Sequence, residues 1–451
     1  MRSPGWLVKV GLAIVIGLVA GWFRATTVAE TEPARPAIRA DAVEYYLSAY
    51  NLVHLGIYSR SPGSLANPPR PVVPDGYRPP GLPLMIAPFM AMWPDHDGIL
   101  GRVQVVNVVL GAGTAMATFA AAAAVLPLTA ATAVGLAVAA SPHLVAFSVY
   151  MLTETPAAFL VALVLAVAAL GVPGGGPWRR MLFFLAFGAL IGLLALFRPI
   201  FLAFAPVAGL AFLGRRQVLW AMLFVSLGAA GVVSPWLIRN AVSVPANSGD
   251  ADLVATTVLD GSYRGYRYNG DPKTFPYPRF ADPNFEAARK SLGLAWPQVR
   301  DRIAADPARM IAWYLLEKPA FLLQWSNVDG VGDVFVYAVE RTPFRSDLVF
   351  RAVHDIYEIA HPVVLLLAGL AAVAVWTPLV RFAGPPDRRH VVRLASLLLV
   401  FLVVAHIPFF TATRYAVPVF PALYLLAVVP LVIVVRGLAA WARGSAAMPP
   451  A

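Results

Sequence analysis

The 451-residue chain is 59% hydrophobic and 13% charged, contains no cysteine and carries a formal net charge of +11. A soluble protein has about a quarter of its residues charged, so this composition excludes a chain built of soluble domains, as well as extensive disorder and a disulfide scaffold. The positive balance would indicate a nucleic-acid binder only if the bases formed a patch, and they are instead dispersed in short segments between apolar runs.

Charge-free runs predict about ten membrane-spanning helices. The opening run VGLAIVIGLVAGWF predicts a span over 5–23. ATTVAE, which follows, lacks a small-x-small cleavage pattern, so the segment is expected to stay as an anchor. Next comes an outward loop, 24–101. Its segment RADAVEYYLSAYNLVHLGIYS predicts a helix from near Asp41, with Asp41, Glu44 or Tyr45, Ser48 and Asn51 along one face. Asp41 and Glu44 can cap that helix as N-cap and capping-box partner. Equally, they stand where a lipid-borne substrate could reach them, with Glu44 holding the turn and Asp41 acting as base. His54, farther along, reads as a structural or interface residue. In DGYRPPGLPL the Pro-Pro-Gly run restrains the chain beside Tyr77 and Arg78. Arg78 suits bidentate binding of phosphate oxygens, or an interfacial anchor. The apolar stretch 79–93 is short and interrupted by proline, which predicts an interfacial or re-entrant element.

Spans over 102–125 and 130–149 share the next charge-free stretch, with Arg102 at an outer end as a further phosphate candidate. Glu154 then breaks the apolar field in YMLTETP. A carboxylate there needs water, a cation or a protein partner, so it reads as a substrate or metal ligand, or as a boundary salt bridge or cap. Pro156 suits the first turn of a span over 155–172. Arg198 in FRP and Arg239 in SPWLIRN mark outer boundaries among the spans 181–197, 199–214 and 217–237. A second outward loop, 238–357, contains MIAWYLLEKPAFLLQW at 310–325, expected to lie along the membrane surface. The last spans are 358–380, 393–411 and 414–435, with His406 hydrogen-bonded inside the bundle and Arg414 at an outer boundary in TATRYAVP.

The alternate connections and the ends hold Arg2, Lys9, Arg179, Arg180, Arg215, Arg216, Arg381, Arg388, Arg389, Arg393, Arg436 and Arg443, with Asp387 as their one acid. The positive-inside rule then puts both termini in the cytoplasm and both large loops on the other face. The chain divides into an N-terminal membrane module, 1–240, a large outward loop, 241–357, and C-terminal spans with a tail, 358–451. Walker, dinucleotide-fingerprint, zincin and CxxC patterns are absent, which argues against a nucleotide-driven pump and a nucleotide cofactor.

DAVEYYLSAYNLVHLGIYS, YRPPGLPLMIAP, TETP, FRP, PWLIRN and TRYAVP together resemble, in order and in topological place, the GT-C glycosyltransferase superfamily. The likeness is to bacterial relatives of protein mannosyltransferases and aminoarabinose transferases, glycosyltransferase families 39 and 83. It covers about 39–240 and 393–425. The resemblance implies an all-α GT-C-like bundle with interfacial helices in its outward loops, in a bacterial cytoplasmic membrane, working on the periplasmic or extracellular side. It implies a polyprenyl-phosphate sugar as donor and a hydroxyl-bearing cell-envelope lipid or glycan as acceptor. Asp41 corresponds to the superfamily's first-loop acidic catalytic residue, and Glu154 would orient the acceptor, stabilise the cationic sugar centre or bind a divalent metal. Metal candidates are Asp41 and Glu154. Arg78, assisted by Tyr77, would neutralise the donor phosphate, with Arg239 and Arg414 as further phosphate candidates and Glu44, His54, Arg102 and Arg198 as auxiliary residues. The acids are separated as DAVE rather than adjacent, which argues against a protein acceptor. Ten apolar spans alone also fit a lipid-linked-saccharide transporter or a polysaccharide-polymerase-like protein. Nothing in the sequence indicates an oligomeric state.

Overall fold

The computed structural model describes residues 5–93, 98–172, 174–212, 218–245, 252–266, 279–327 and 333–442. Arg2, Arg215, Arg216 and Arg443, used above for orientation, lie outside the described residues. The chain opens with α1 (Gly5–Glu30) and the two-residue strand β1 (Glu32–Pro33), followed by α2 (Asp41–Leu55), α3 (Gly81–Met92) and α4 (Ile99–Ala123). Next come α5 (Leu128–Ala140), α6 (Pro142–Ala146), α7 (Glu154–Leu170), α8 (Pro177–Phe197), α9 (Phe204–Gly209) and α10 (Val218–Ser243). The second large loop holds α11 (Leu253–Gly261), α12 (Phe285–Ala288), α13 (Leu292–Ala305), α14 (Pro307–Ala312), α15 (Lys318–Leu322), β2 (Val339–Arg341) and α16 (Pro343–Ser346). The chain returns through α17 (Leu348–Ala374), α18 (Val380–Ala383), α19 (Arg389–His406) and α20 (Phe420–Ala442). Antiparallel β1 and β2 tie the two large loops together, with Glu32 opposite Arg341.

Among the described residues, seven helices are long and apolar enough to cross a membrane: α1, α4, α8, α10, α17, α19 and α20, the last two with their leading turns. The protein is thus a multi-pass membrane protein, helical apart from the short β1–β2 pair. The three remaining predicted spans take other forms. Residues 130–149 form a pair of helical pieces bent by 43°. The segment predicted at 155–172 is α7, 17 residues long, which buries most of its faces among other helices. The segment predicted at 199–214 is a series of short turns, Pro199–Leu202, α9 and Leu210–Phe212, too broken to cross as one helix.

The bend at Ser141–Pro142 has a specific chemistry. Proline offers no N–H, so the Val138 carbonyl loses its helical donor, and the neighbouring carbonyls are freed with it. In a bilayer such groups must be satisfied by protein. Arg24 supplies donors to the carbonyls of Ala139, at 2.9 Å, and Val138, at 3.4 Å, while the Tyr357 hydroxyl donates to Ala137 at 2.8 Å. Arg24 is 1% exposed, within α1 rather than at its outer end, so the first span runs beyond the predicted residue 23. Gly111 makes room for it: a Cβ there would lie 2.0 Å from Arg24 Nε.

Helices α8 and α10 approach through small residues, as membrane helices do where apolar side chains give no advantage over lipid. A Cβ on Gly188 would stand 2.1 Å from the Val225 carbonyl oxygen, and one on Gly228 the same distance from that of Leu185. Gly188→Leu should push the pair apart at a cost of about 1–3 kcal/mol. A lowered thermal midpoint in detergent checks this.

The second loop carries its own small core. Leu259, Tyr263, Tyr266 and Phe285 bury one another, and Phe409 and Phe410 pack against them from the end of α19. Residues 310–325, expected along the membrane surface, form α14, one wide turn (Trp313–Glu317) and α15. Ile311, Leu315 and Leu316 point outward, whereas Trp313, Phe321 and Lys318 are buried. Lys318 Nζ donates to the carbonyls of Gly261, at 3.1 Å, and Ile407, at 2.6 Å, pinning the loop core to α19. Burial pulls its ammonium down to about 7. A cation whose folded value is depressed stabilises the fold fully above its ordinary value and loses that contribution as pH falls toward the folded one. Docking of the loop core should therefore strengthen from pH 7 upward, by at most about 1.4 kcal/mol per pH unit. Protease resistance of residues 253–325 followed against pH measures it, and Lys318→Met should flatten the dependence.

Candidate active site

Helix α2 begins at Asp41, directly after Ala40, whose φ of 49° is rare for a residue with a side chain. Ala40, not Asp41, holds the N-cap position and has no side chain to bond the first amides; those of Ala42 and Val43 donate to the carbonyls of Arg39, at 3.0 Å, and Ala40, at 3.1 Å. Both carboxylates turn instead to arginines. Arg78 donates from Nη2 to Asp41 Oδ1 at 2.7 Å and from Nε to Glu44 Oε2. Arg60 takes the other oxygen of Glu44 at 2.9 Å.

Arg78 is aimed by the loop that precedes it. Buried Asp75 accepts from the Arg60 amide at 2.7 Å, the Ser59 hydroxyl at 3.3 Å and the Tyr77 amide at 3.1 Å. Asn51, on α2, donates to the carbonyls of Ser59 and Ser61, each at 2.8 Å. The Tyr58 hydroxyl donates to the carbonyl of Arg78 at 3.0 Å. Two prolines then lead into α3, whose Leu82, Ile86 and Met90 fall on one buried face.

Three other elements complete the row. Glu154 opens α7 and is 1% exposed; Arg198 follows α8 and donates to Glu154 Oε1 at 2.7 Å. Arg414, ahead of α20, donates to Asp41 Oδ2 and lies with Nε 3.8 Å from Glu154 Oε1. Charges therefore alternate along one line: Arg60, Glu44, Arg78, Asp41, Arg414, Glu154, Arg198. Most of this line borders a cavity of about 340 Å³ whose other walls are largely apolar, including Leu152, Ile200, Phe409 and Phe410. Two buried atoms at the far end, Glu154 Oε2 and Arg198 Nε, have no hydrogen-bond partner among the described residues.

Burial alone would raise the Asp41 carboxyl, but the guanidiniums of Arg78 and Arg414 outweigh it and hold the group well below the usual carboxylate range. Asp41 is thus firmly ionised and, in this arrangement, a weak base. Burial raises the phenol of Tyr45, which stays neutral with its ring 5.3 Å from the Arg78 guanidinium. Of the six oxygens on Asp41, Glu44 and Glu154, buried Glu154 Oε2 alone lacks a partner among the described residues. A divalent ion requires several oxygens, so the residues as arranged fit an anion better than a metal. Elsewhere, His354, Asp355 and Glu358 on α17 bring potential ligand atoms within 4.8 Å of one another.

Of the residues singled out from the sequence, Asp41, Glu44, Arg78, Glu154, Arg198 and Arg414 meet here. Tyr77 stands beside them, its ring 3.8 Å under the Arg60 guanidinium. Arg239 does not reach the cavity's charged row; it donates to the backbone carbonyls of Asp75, at 2.6 Å, and Tyr58, at 2.8 Å, bracing the loop from behind. Arg102 lies over the Trp93 ring at 4.4 Å, and His54 is exposed against Tyr50. His406 lines the cavity and bonds the Leu402 carbonyl at 2.8 Å. Arg60, Asp75 and the wall from α11 were not foreseen, whereas Tyr45 was expected on the same helix face as Asp41. Asp75 alone left a trace, as the acid ahead of the Tyr-Arg-Pro-Pro sequence.

Neither protein-family models nor curated proteins match the chain. Solved structures do. The oligosaccharyltransferase of Archaeoglobus fulgidus, tethered with an acceptor peptide, superposes with a TM-score of 0.51 at 13% identity, over 96% of this chain and 50% of its own. ArnT from Cupriavidus metallidurans bound to undecaprenyl phosphate gives a TM-score of 0.44 at 14% identity, over 95% of this chain and 60% of its own. The chain spans about half the length of the oligosaccharyltransferase it matches. Its helical membrane bundle shares the fold of that oligosaccharyltransferase's matched half.

Proposed function

We propose that the protein is a membrane glycosyltransferase that moves a sugar from a polyprenyl-phosphate donor to a hydroxyl of a cell-envelope lipid or glycan, with inversion at the anomeric carbon. The observation that carries this reading is the row of four guanidiniums and three carboxylates, five of which (Arg78, Asp41, Arg414, Glu154 and Arg198) line an apolar cavity. Such a wall can take a phosphate on one side and an isoprenoid on the other. The shared fold with an oligosaccharyltransferase supports the class of reaction.

In this mechanism the acceptor oxygen bonds to the anomeric carbon as the bond from that carbon to the phosphate oxygen breaks. Its electron pair stays on the phosphate, which Arg78 and Arg414 stabilise, and the hydroxyl proton passes to Asp41. No step is routed through a metal. Glu154, with one oxygen open, would accept a hydrogen bond from a sugar or acceptor hydroxyl. The site is assigned to the outer face of a bacterial cytoplasmic membrane, with both termini inside. Supporting this, Arg179 and Arg180 stand at one end of α8 and Arg198 follows the other, just as Arg389 and His406 bound α19. A transporter would spread its polar groups along the passage, whereas these gather at one end of the spans.

Purified protein in lipid nanodiscs, given undecaprenyl-phosphate sugars and hydroxyl-bearing acceptors, should yield a glycosylated acceptor identified by mass spectrometry. Asp41→Asn should lower turnover by about 10²–10⁴-fold while donor binding persists; full turnover in a folded Asp41→Asn protein would remove Asp41 from this role. Arg198→Gln should strip Glu154 of its close partner and cost about 3–5 kcal/mol. Adding Glu154→Gln should restore part of that thermal stability without restoring turnover.

A further inference from the structure

Both oxygens of Asp41 are occupied by guanidiniums, Arg78 on one and Arg414 on the other. A phosphate entering the cavity beside Asp41 would meet those same two side chains. We propose that the donor phosphate switches on the catalytic base: by drawing Arg78 and Arg414 onto itself, it releases the Asp41 carboxylate to accept the acceptor's proton. This inference rests on reading the cavity as a polyprenyl-phosphate site.

Three features of the row support the exchange. The seven side chains carry one positive charge in excess, which the single negative charge of a phosphodiester donor would neutralise. Each guanidinium also has a second holder. Arg78 keeps Nε on Glu44, itself fixed by Arg60, and Arg414 keeps Nε near Glu154, fixed by Arg198. Either arginine can therefore swing its Nη2 from Asp41 to a phosphate oxygen without leaving the site. The third feature is electrostatic. Burial pushes the Asp41 carboxyl up and only the two arginines push it down. Once they turn onto the phosphate, Asp41 is left with the neutral phenols of Tyr45 and Tyr77 nearby and with Glu44 and Glu154 at the next links of the row, and burial then makes it a stronger base.

The charge count also closes after transfer. The new carbon–oxygen bond leaves the phosphate as a monoester with one further negative charge, and the proton that left the acceptor hydroxyl sits on Asp41. Donor must bind before the base exists, so acceptor or water that arrives first finds no base.

Carbodiimide modification tests this without turnover, because it requires a protonated carboxyl. The full-length protein in nanodiscs at about pH 6 is treated with dicyclohexylcarbodiimide in the presence of undecaprenyl phosphate, of undecaprenol, or of neither. Adducts on Asp41 and Glu44 are resolved by tandem mass spectrometry, and lipid binding is followed by native mass spectrometry. Undecaprenyl phosphate should raise the Asp41 adduct at least about tenfold, the equivalent of one pKa unit, and undecaprenol should not. Arg414→Gln should raise it without any lipid, with Arg78→Gln as the second variant should the first not fold. Bound undecaprenyl phosphate with Asp41 still unreactive would overturn the switch and leave the donor assignment standing. Failure of the lipid to bind, with Arg414→Gln reactive, would sink the donor assignment and leave the clamp. An unreactive Asp41 in both folded arginine variants would refute the clamp itself.

Discussion

The carboxylate of Asp41 lies between a guanidinium from residue 78 and one from residue 414, and so binds the first large loop to the entry of the last span. Taking a lone carboxylate out of water costs several kcal/mol, and so does taking a lone arginine. In this row no charge is alone, because every acid touches a base on each side. The helix positions around it follow from that need. α2 must present its first turn to Arg78, α7 must begin at the boundary where Arg198 waits, and the turn before α20 must lie close enough for Arg414 to span Asp41 and Glu154. A net gain in stability is not what such rows usually provide. Their use is to hold opposite charges at fixed places in a pocket that a third charge can enter.

Much of this was legible because charge is rare in the chain. Glu154 and Arg414 stood out as isolated ionic residues at span boundaries, and Asp41 and Arg78 as an acid and a base in the first outward loop; for Glu154 the cost of a lone charge at the membrane boundary required a partner. The same reasoning could not tell Arg414 from Arg239 or Arg102. All three sit at a boundary, but position along a span fixes depth and not direction. Arg239 turns to carbonyls of the loop and Arg102 to an indole. Arg60 left no signal because it lies in a polar loop where another arginine is unremarkable.

The count of spans departs from expectation for a related reason. Hydropathy registers composition and is blind to where a helix breaks. Residues 130–149 read as one charge-free span, yet Pro142 removes one donor and the helix turns by 43°. The compensating residues, Arg24 and Tyr357, come from distant parts of the chain and carried no local mark of the task. The small core of the second loop was likewise invisible, since its aromatics are spread from Tyr263 to Phe410 without a period.

The break at Ser141–Pro142 also bears on how the protein is built. Its freed carbonyls are answered in part by Arg24, made early, and in part by Tyr357 on α17, made more than two hundred residues later. Until α17 is inserted, the Ala137 carbonyl lacks the hydroxyl it will finally accept from. Asp41 waits longer still, for Arg414. The amino-terminal spans are therefore held in an unfinished state through most of synthesis, and the last two hundred residues complete the pocket as much as they extend the chain.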